Sequence, residues 1–231
     1  MSQVMLFPSE TITDYSGASF SDMRVVACGV AGIREFIETN HYSGNINGVI
    51  SDYCFRLCYE NEIIGGAIYG RMAMANQWKR FSDHEEDVIE LRRLCCIDAT
   101  PKNTESFFIA RTLKWLAKNT KHKMVVSYAD AEYGHDGTIY KASNFKYLGK
   151  GVGAKVIVMD GKRYHDKSVR TKHNGKLKPF AVELSNAIEN GQAEYKETAG
   201  KHCYIYYLRT PRAKTGRGAD MKTVLTRRKN D

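Results

Sequence analysis

Residues 88–149 constrain the fold most, because strand and helix signals alternate there in an order that calls for two parallel strands joined through a helix. Asp87 to Asp98 reads as a strand: Val88, Ile89, Leu91, Leu94, Cys95, Cys96 and Ile97 form a β-rich apolar run interrupted by the pair Arg92-Arg93. Pro101 and Asn103 then mark a turn, and Thr104 with Glu105 supplies a helix start. A helix is predicted over 104–119, with Ile109, Leu113 and Leu116 on one stripe and Phe108 and Thr112 beside it. Lys123 to Asp130 gives a second strand, Gly134 to Gly137 a break, and Thr138 to Phe145 a second short helix. A unit of this length predicts a right-handed crossover between parallel strands. Ligands bind at the carboxyl ends of such strands, here near Ile97 to Asn103 and Ala129 to His135.

The rest of the chain supplies partners for that unit. Arg24 to Glu38 has apolar positions at Val25, Val26, Val30, Ile33 and Ile37, which predict an amphipathic helix, followed by a polar loop at His41-Tyr42-Ser43-Gly44. Tyr53 to Tyr59 and Glu62 to Tyr69 read as paired strands, with Gly65-Gly66 as a bulged point in the second. Arg71 to Glu86 reads as a polar loop carrying Trp78. Lys155 to Met159 is a further strand ending at Asp160-Gly161, Phe180 to Glu189 a short helix, and Cys203 to Leu208 a strand placed to close a sheet edge. The expected class is an α/β mixed sheet flanked by helices, with residues 1–22 as an irregular lead-in, 23–208 as the catalytic domain and 209–231 as a basic flexible tail.

With 42% hydrophobic and 26% charged residues, a globular soluble protein is the default. No apolar run approaches the roughly 20 residues of a membrane helix, so the expectation is an intracellular, cytoplasmic protein with no membrane partner. The six cysteines include no Cys-x-x-Cys pair and fit reduced thiols better than a disulfide framework or a zinc knuckle.

Charge is distributed unevenly. Residues 1–100 carry 8 Lys/Arg against 14 Asp/Glu, whereas 101–231 carry 27 against 12. Lys150 to Lys178 and Lys201 to Asp231 each hold 9 basic and 2 acidic residues, interleaved with aromatics and glycines. That pattern suits a polyanion, with cations on phosphate and rings on bases or sugars, against the plainer alternative of a solvated basic face. Lys162, Arg163, Lys172, Lys176 and Arg212 are the candidate nucleic-acid contacts in these blocks, with Tyr42 in the polar loop.

The element order resembles the GCN5-related N-acetyltransferase (GNAT) architecture. More specifically, HYSG from His41, ELRRL from Glu90, TPKNTES from Thr100, YAD from Tyr128, GHDGTIYKASNFKYLG from Gly134 and DGKRYH from Asp160 resemble the Mom family of phage DNA-modification proteins. These segments cover about half of the chain in the expected order. The resemblance implies a GNAT-like fold and modification of DNA adenine to N6-carbamoylmethyladenine, which shields phage DNA from host restriction in the host cytoplasm. It also implies an acetyl-coenzyme A or related donor, for which Cys96, Ile97, Lys102, Asn103 and Asn144 are the candidate contacts. One departure bears on that donor. Acetyltransferases place a glycine-rich loop before the central helix to cradle a diphosphate. Here Asp98 to Glu105 contains no glycine, and Pro101 removes an N–H.

The implied chemistry selects the remaining candidates. Adenine N6 is a weak nucleophile, paired and stacked in a duplex, so the base must be flipped or the strand opened. Tyr42, Trp78, Tyr128, Tyr140, Phe145 and Tyr147 are candidate stacking rings, each weighed against a place in the core. Arg92, in an otherwise apolar strand, must pair with a carboxylate such as Glu90, with a ligand, or with the surface, and alternation sends Glu90 and Arg92 to one face and Arg93 to the other. Asp130 suits a general base or the cap of the next turn; His135 and His41 suit acid/base or ligand roles, or plain turn positions. Tyr140 suits proton donation or orientation of the base, and Asn144 a cofactor contact or a helix cap. His41, Asp130 and His135 are also the residue types of a two-histidine, one-carboxylate site for a transition metal such as iron. The rival classes are an acyl-coenzyme A-dependent N-acetyltransferase of a protein or small amine, and a non-enzymatic DNA-binding protein. The sequence leaves the oligomeric state open.

Overall fold

A computed structural model describes residues 13–209. Its elements, in chain order, are β1 (Met23–Cys28), α1 (Arg34–Asn40), β2 (Tyr53–Tyr59), β3 (Glu62–Gly70), β4 (Val88–Cys96), α2 (Thr104–Asn119), β5 (Met124–Asp130), α3 (Thr138–Ala142), β6 (Lys146–Lys150), β7 (Lys155–Met159), β8 (Lys162–His165), β9 (Lys172–His173), β10 (Lys176–Leu177), α4 (Pro179–Glu189), β11 (Ala193–Glu197) and β12 (Lys201–Tyr207). A seven-stranded sheet has the order β1-β2-β3-β4-β5-β12-β6, which with the flanking helices gives the expected mixed α/β class. Two compact units interleave along the sequence. The first takes in residues up to Ser127, then Thr138–Lys146 and the stretch from Tyr204; the second takes in Tyr128–Gly137 and Tyr147–Cys203.

In the first unit, β1 to β4 pair antiparallel in succession, and β4 pairs parallel with β5 over Val88↔Met124 to Leu91↔Ser127. That parallel pair, with α2 between its strands in sequence, is the crossover unit expected from the hydrophobic pattern. Phe108, Ile109, Thr112, Leu113 and Leu116 are the buried stripe of α2, and Thr112 meets the buried Tyr69 hydroxyl at 2.6 Å. The helix expected over 24–38 is instead β1, a break at Gly29 and the short α1. Val25 and Val26 are β-branched and pair with Leu57 and Arg56, so sheet formation wins over the helical spacing there. Ile33 and Ile37 keep that spacing and are buried with Ile46, Cys54 and Ile68. Gly66 permits the contact: a Cβ there would press on both isoleucine side chains.

Two further expectations are corrected here. The helix predicted to reach Phe145 stops at Ala142, because Asn144 takes the left-handed conformation (φ 61°) and the Phe145 N–H closes back on the Tyr140 carbonyl at 2.9 Å. The chain is thereby released into β6. The late strand β12 lies between β5 and β6 rather than at an edge, with Cys203, Tyr204 and Ile205 buried.

The second unit has its own small core. An antiparallel sheet β11-β7-β8 carries α4, and Ile157, Leu184, Ala187 and Ala193 form the contact, flanked by Met159, Tyr164, Val169 and Ile188. A separate two-stranded hairpin pairs Lys176 with His173 and Leu177 with Lys172. Among the described residues no helix is long and apolar enough to cross a membrane, and all six cysteines are free thiols.

Candidate functional site

The site of the first unit begins at an irregularity in β4. Ile68 pairs with Arg93 and Tyr69 with Leu91, so Arg92 is an extra residue in the β3–β4 ladder, a β-bulge. Bulges redirect side chains beside a ladder. The parallel ladder to β5 has its last rung at Leu91↔Ser127, just before the bulge, while β4 continues from Arg92 to Cys96. Bulge and ladder end therefore coincide at the Arg92-Arg93 pair.

Arg92 forms an ion pair through its Nε with Glu90 at 3.5 Å and donates to the Arg71 carbonyl at 2.9 Å. Their side chains are only 10% and 11% exposed, so the pair is largely removed from water. Glu90 also accepts the Ala73 N–H at 3.2 Å, which anchors the loop after β3 to this pair. Arg93 is different. It donates from one terminal nitrogen to the Arg92 carbonyl at 2.8 Å, while its Nε is buried and has no hydrogen-bond partner. Burial pulls its guanidinium below the usual arginine range, and the charges of Tyr42, Arg92 and Glu90 act on it as well. The Arg92–Glu90 ion pair agrees with the expectation that alternation sends these two to one face, and the bulge interrupts that alternation just before Arg93.

Tyr140 joins the same group. It is 8% exposed, packs against Phe145 at 5.5 Å and Tyr204 at 5.3 Å between ring centroids, and its phenol is pushed up to about 12. Desolvation is the main cause. The Ser127 hydroxyl opposes it by bonding the phenol, and Tyr42, Glu90 and Tyr204 raise it further. A phenol held this way stays protonated near neutrality, so it serves as a proton or hydrogen-bond donor and not as a base. Ser127, fully buried and bonded to the Leu91 carbonyl at 3.3 Å, ties the phenol to the last rung of the parallel ladder.

His41 is buried and tilts against the ring of Tyr42 at 4.2 Å. Its Nδ1 accepts the Ser43 N–H at 3.1 Å, which assigns the ring proton of the neutral imidazole to Nε2. Tyr42 itself is 50% exposed, so it presents a ring to solvent, and its charge acts on both Tyr140 and Arg93.

Among the donor-binding candidates, Asn103 and Asn144 line one cavity of about 300 Å³, with Phe20, Ser106, Phe107 and Tyr206. Asn103 is left-handed (φ 73°) at the head of α2. Ile97 has its N–H bonded to the Ile64 carbonyl and its own carbonyl to the Thr100 hydroxyl. The Cys96 thiol is raised by burial, and Lys102 is exposed. Coenzyme A would need main-chain donors here for its diphosphate. The Thr104 N–H is already turned back to the Pro101 carbonyl, Pro101 has none, and Glu105 adds an anion to the first helical turn. The loop therefore lacks the glycine-rich cradle of the acetyltransferases, and what it offers a phosphate is Lys102, Asn103 and the head of α2.

The second unit holds Asp130 and His135. Asp130 caps the following turn by accepting the Glu132 N–H at 3.2 Å and pairs with Lys201 at 2.8 Å, a partner the sequence did not suggest. His135 is exposed and gives its N–H to the Asp130 carbonyl. Arg163 is drawn to Glu132 at 2.9 Å, whereas Lys162, Lys172 and Lys176 are exposed. Arg212 lies outside the described residues. Among the described residues no group of three or more His, Cys, Asp or Glu side chains is arranged to hold a metal ion; of the metal candidates, His41 belongs to the first unit and Asp130 and His135 to the second.

Comparison with known proteins adds lineage to this geometry. Solved acetyltransferases overlap the chain at low identity: Arabidopsis thaliana NAA60 in complex with acetyl-CoA (9% identity, TM-score 0.48, 80% of this chain and 98% of that one) and spermidine N-acetyltransferase from Vibrio cholerae in complex with CoA and spermine (9%, TM-score 0.46, 81% and 96%). Methylcarbamoylase mom of Escherichia phage Mu is 28% identical over 156 residues, 65% of this chain. The match spans 63% of that relative's length. A sequence profile of the Mom protein family matches residues 22–224. On that match, the chain belongs to the Mom protein family.

Proposed function

We propose that the chain is a transferase that places a carbamoylmethyl group on N6 of adenine in DNA, acting in the cytoplasm of a phage-infected host. Membership of the Mom protein family over most of the chain is the observation that carries this reading, together with the name methylcarbamoylase borne by the phage Mu relative. The product's connectivity limits the reaction. Attack on the carbonyl of acetyl-coenzyme A joins N6 to a carbonyl carbon, whereas a carbamoylmethyl group is joined through its methylene. Acetyl transfer would therefore need a further activation, redox or rearrangement step, and the direct route is a donor that presents that methylene as the electrophile, with a leaving group on it. The loop before α2, with no glycine and with its Thr104 N–H engaged, supports a donor other than one held by the usual coenzyme A cradle.

Residues of the first unit divide the work as follows. Tyr42 stacks on the extruded purine. The phenol of Tyr140, kept protonated by burial, delivers a proton to the departing group as the N6–carbon bond forms. N6 loses one proton in the same exchange, and that proton restores the phenol. Arg93, whose buried Nε has no protein partner, receives the amide oxygen of the incoming group.

Arg93→Met separates this role from a structural one. An unpaired buried donor costs about 1–3 kcal/mol, so the apolar replacement is expected to raise the urea midpoint while modification falls at least tenfold. A lower midpoint with activity retained would remove Arg93 from the site. For the reaction itself, nucleosides from DNA of cells expressing the chain should contain deoxyadenosine heavier by one carbamoylmethyl group in place of hydrogen. Unmodified DNA, with acetyl groups transferred intact to a protein or small amine, would replace this reading with that of an N-acetyltransferase.

A further inference from the structure

The hairpin β9–β10 takes no part in the small core of the second unit, yet it is sharply defined. Asn174 (φ 49°) and Gly175 (φ 77°) form its two-residue turn, both left-handed as such tight hairpins require. The Lys178 N–H closes its base on the Thr171 carbonyl at 2.9 Å. Every residue from Lys172 to Lys178 is exposed. From Lys167 to Val182 the chain has no acidic residue, and Asp166, just before, is already engaged by His165 and Arg170. A two-stranded hairpin on its own is at best marginally stable in water, so a solvated one that keeps three uncompensated lysines calls for an anionic surface to lie on.

We propose that this hairpin is a docking arm for duplex DNA, lying as a two-stranded ribbon in the major groove with Lys172, Lys176 and Lys178 on backbone phosphates. The width of that groove admits such a ribbon, and phosphate contacts fix register without reading sequence. Among its side chains only Leu177 offers a large apolar surface, at 42% exposure, which argues against insertion into a lipid surface. The proposal rests on the reading of DNA as substrate and adds how the second unit holds it.

The test compares the full chain with the triple variant Lys172→Gln/Lys176→Gln/Lys178→Gln, and with a control triple at the exposed α2 and post-α2 positions Lys114, Lys118 and Lys121. Binding to a fluorescein-labelled duplex is followed by anisotropy over a salt series. Each lysine on a phosphate contributes about 0.9 to the slope of log affinity against log salt, so the hairpin variant is expected to lose between about 2 and 3 from that slope and the control to keep the parental value. Parental slopes in both variants, with duplex binding intact, overturn the arm while leaving DNA as the substrate. Absence of both binding and modification in the parental chain overturns the functional reading along with it. Capture of the parental chain by phosphatidylserine vesicles, lost in the hairpin variant while duplex binding is not, assigns the lysines to a membrane and also overturns the proposal.

Discussion

Tyr140→Phe is expected to reduce adenine modification by about 10²–10⁴-fold while leaving the fold in place. The ring contacts with Phe145 and Tyr204 involve carbon faces that phenylalanine retains, so the change removes one hydroxyl and its bond to Ser127. That bond is worth about 1 kcal/mol of stability, a small loss beside the expected fall in rate. Because the phenol is raised to about 12, its ionisation lies well above neutral pH, and the ratio of variant to parental activity should be flat near neutrality. Stability carries a second signature. A phenol with a folded-state value above its ordinary 10 contributes stability that is complete below pH 10 and is lost as pH rises through about 12. The variant should therefore lose less stability than the parental protein when urea unfolding is followed across that alkaline window. Full activity in Tyr140→Phe would reduce this residue to core packing and move the proton donor elsewhere.

How far the site could be read in advance depended on the scale of the signal. The parallel unit was legible because the α2 stripe of Ile109, Leu113 and Leu116 and the apolar runs of β4 and β5 carry two different periods. Arg92 was legible as a cation in a largely apolar strand, and Ser127 had the same kind of signal as the one serine or threonine of β5. The bulge that sets Arg93 apart from Arg92 was not, since it shows only in the pairing with Ile68 and Tyr69 on the neighbouring strand. Residues 24–38 misled because Val25 and Val26 satisfy helical spacing by coincidence with the truly helical Ile33 and Ile37. β8 and β11 escaped because lysine, arginine and glutamate fill their open positions, leaving too few apolar residues to mark alternation. The metal triad rested on residue types alone, and types do not imply convergence.

Arg92→Ala is the substitution expected to harm stability most. It takes the Arg92 charge away from the nearly buried Glu90 carboxylate, frees the Arg71 carbonyl and loosens the loop that Glu90 holds at Ala73. Breaking such a pair from one side costs about 3–5 kcal/mol, since the desolvated partner remains. Replacing both members with uncharged groups of similar volume should avoid most of that penalty. Glu90→Gln/Arg92→Met is accordingly expected to unfold in urea much closer to the parental midpoint than Arg92→Ala does, with a coupling between the two positions in a double-mutant cycle. Activity decides what the pair is for. If the guanidinium only fastens β4 to its loop, the double variant regains modification together with stability. The proposed site next to Arg93 and Tyr140 leads to the other outcome, a protein restored in stability and still deficient in modification, because the field in which Arg93 and the phenol act has lost both of its charges.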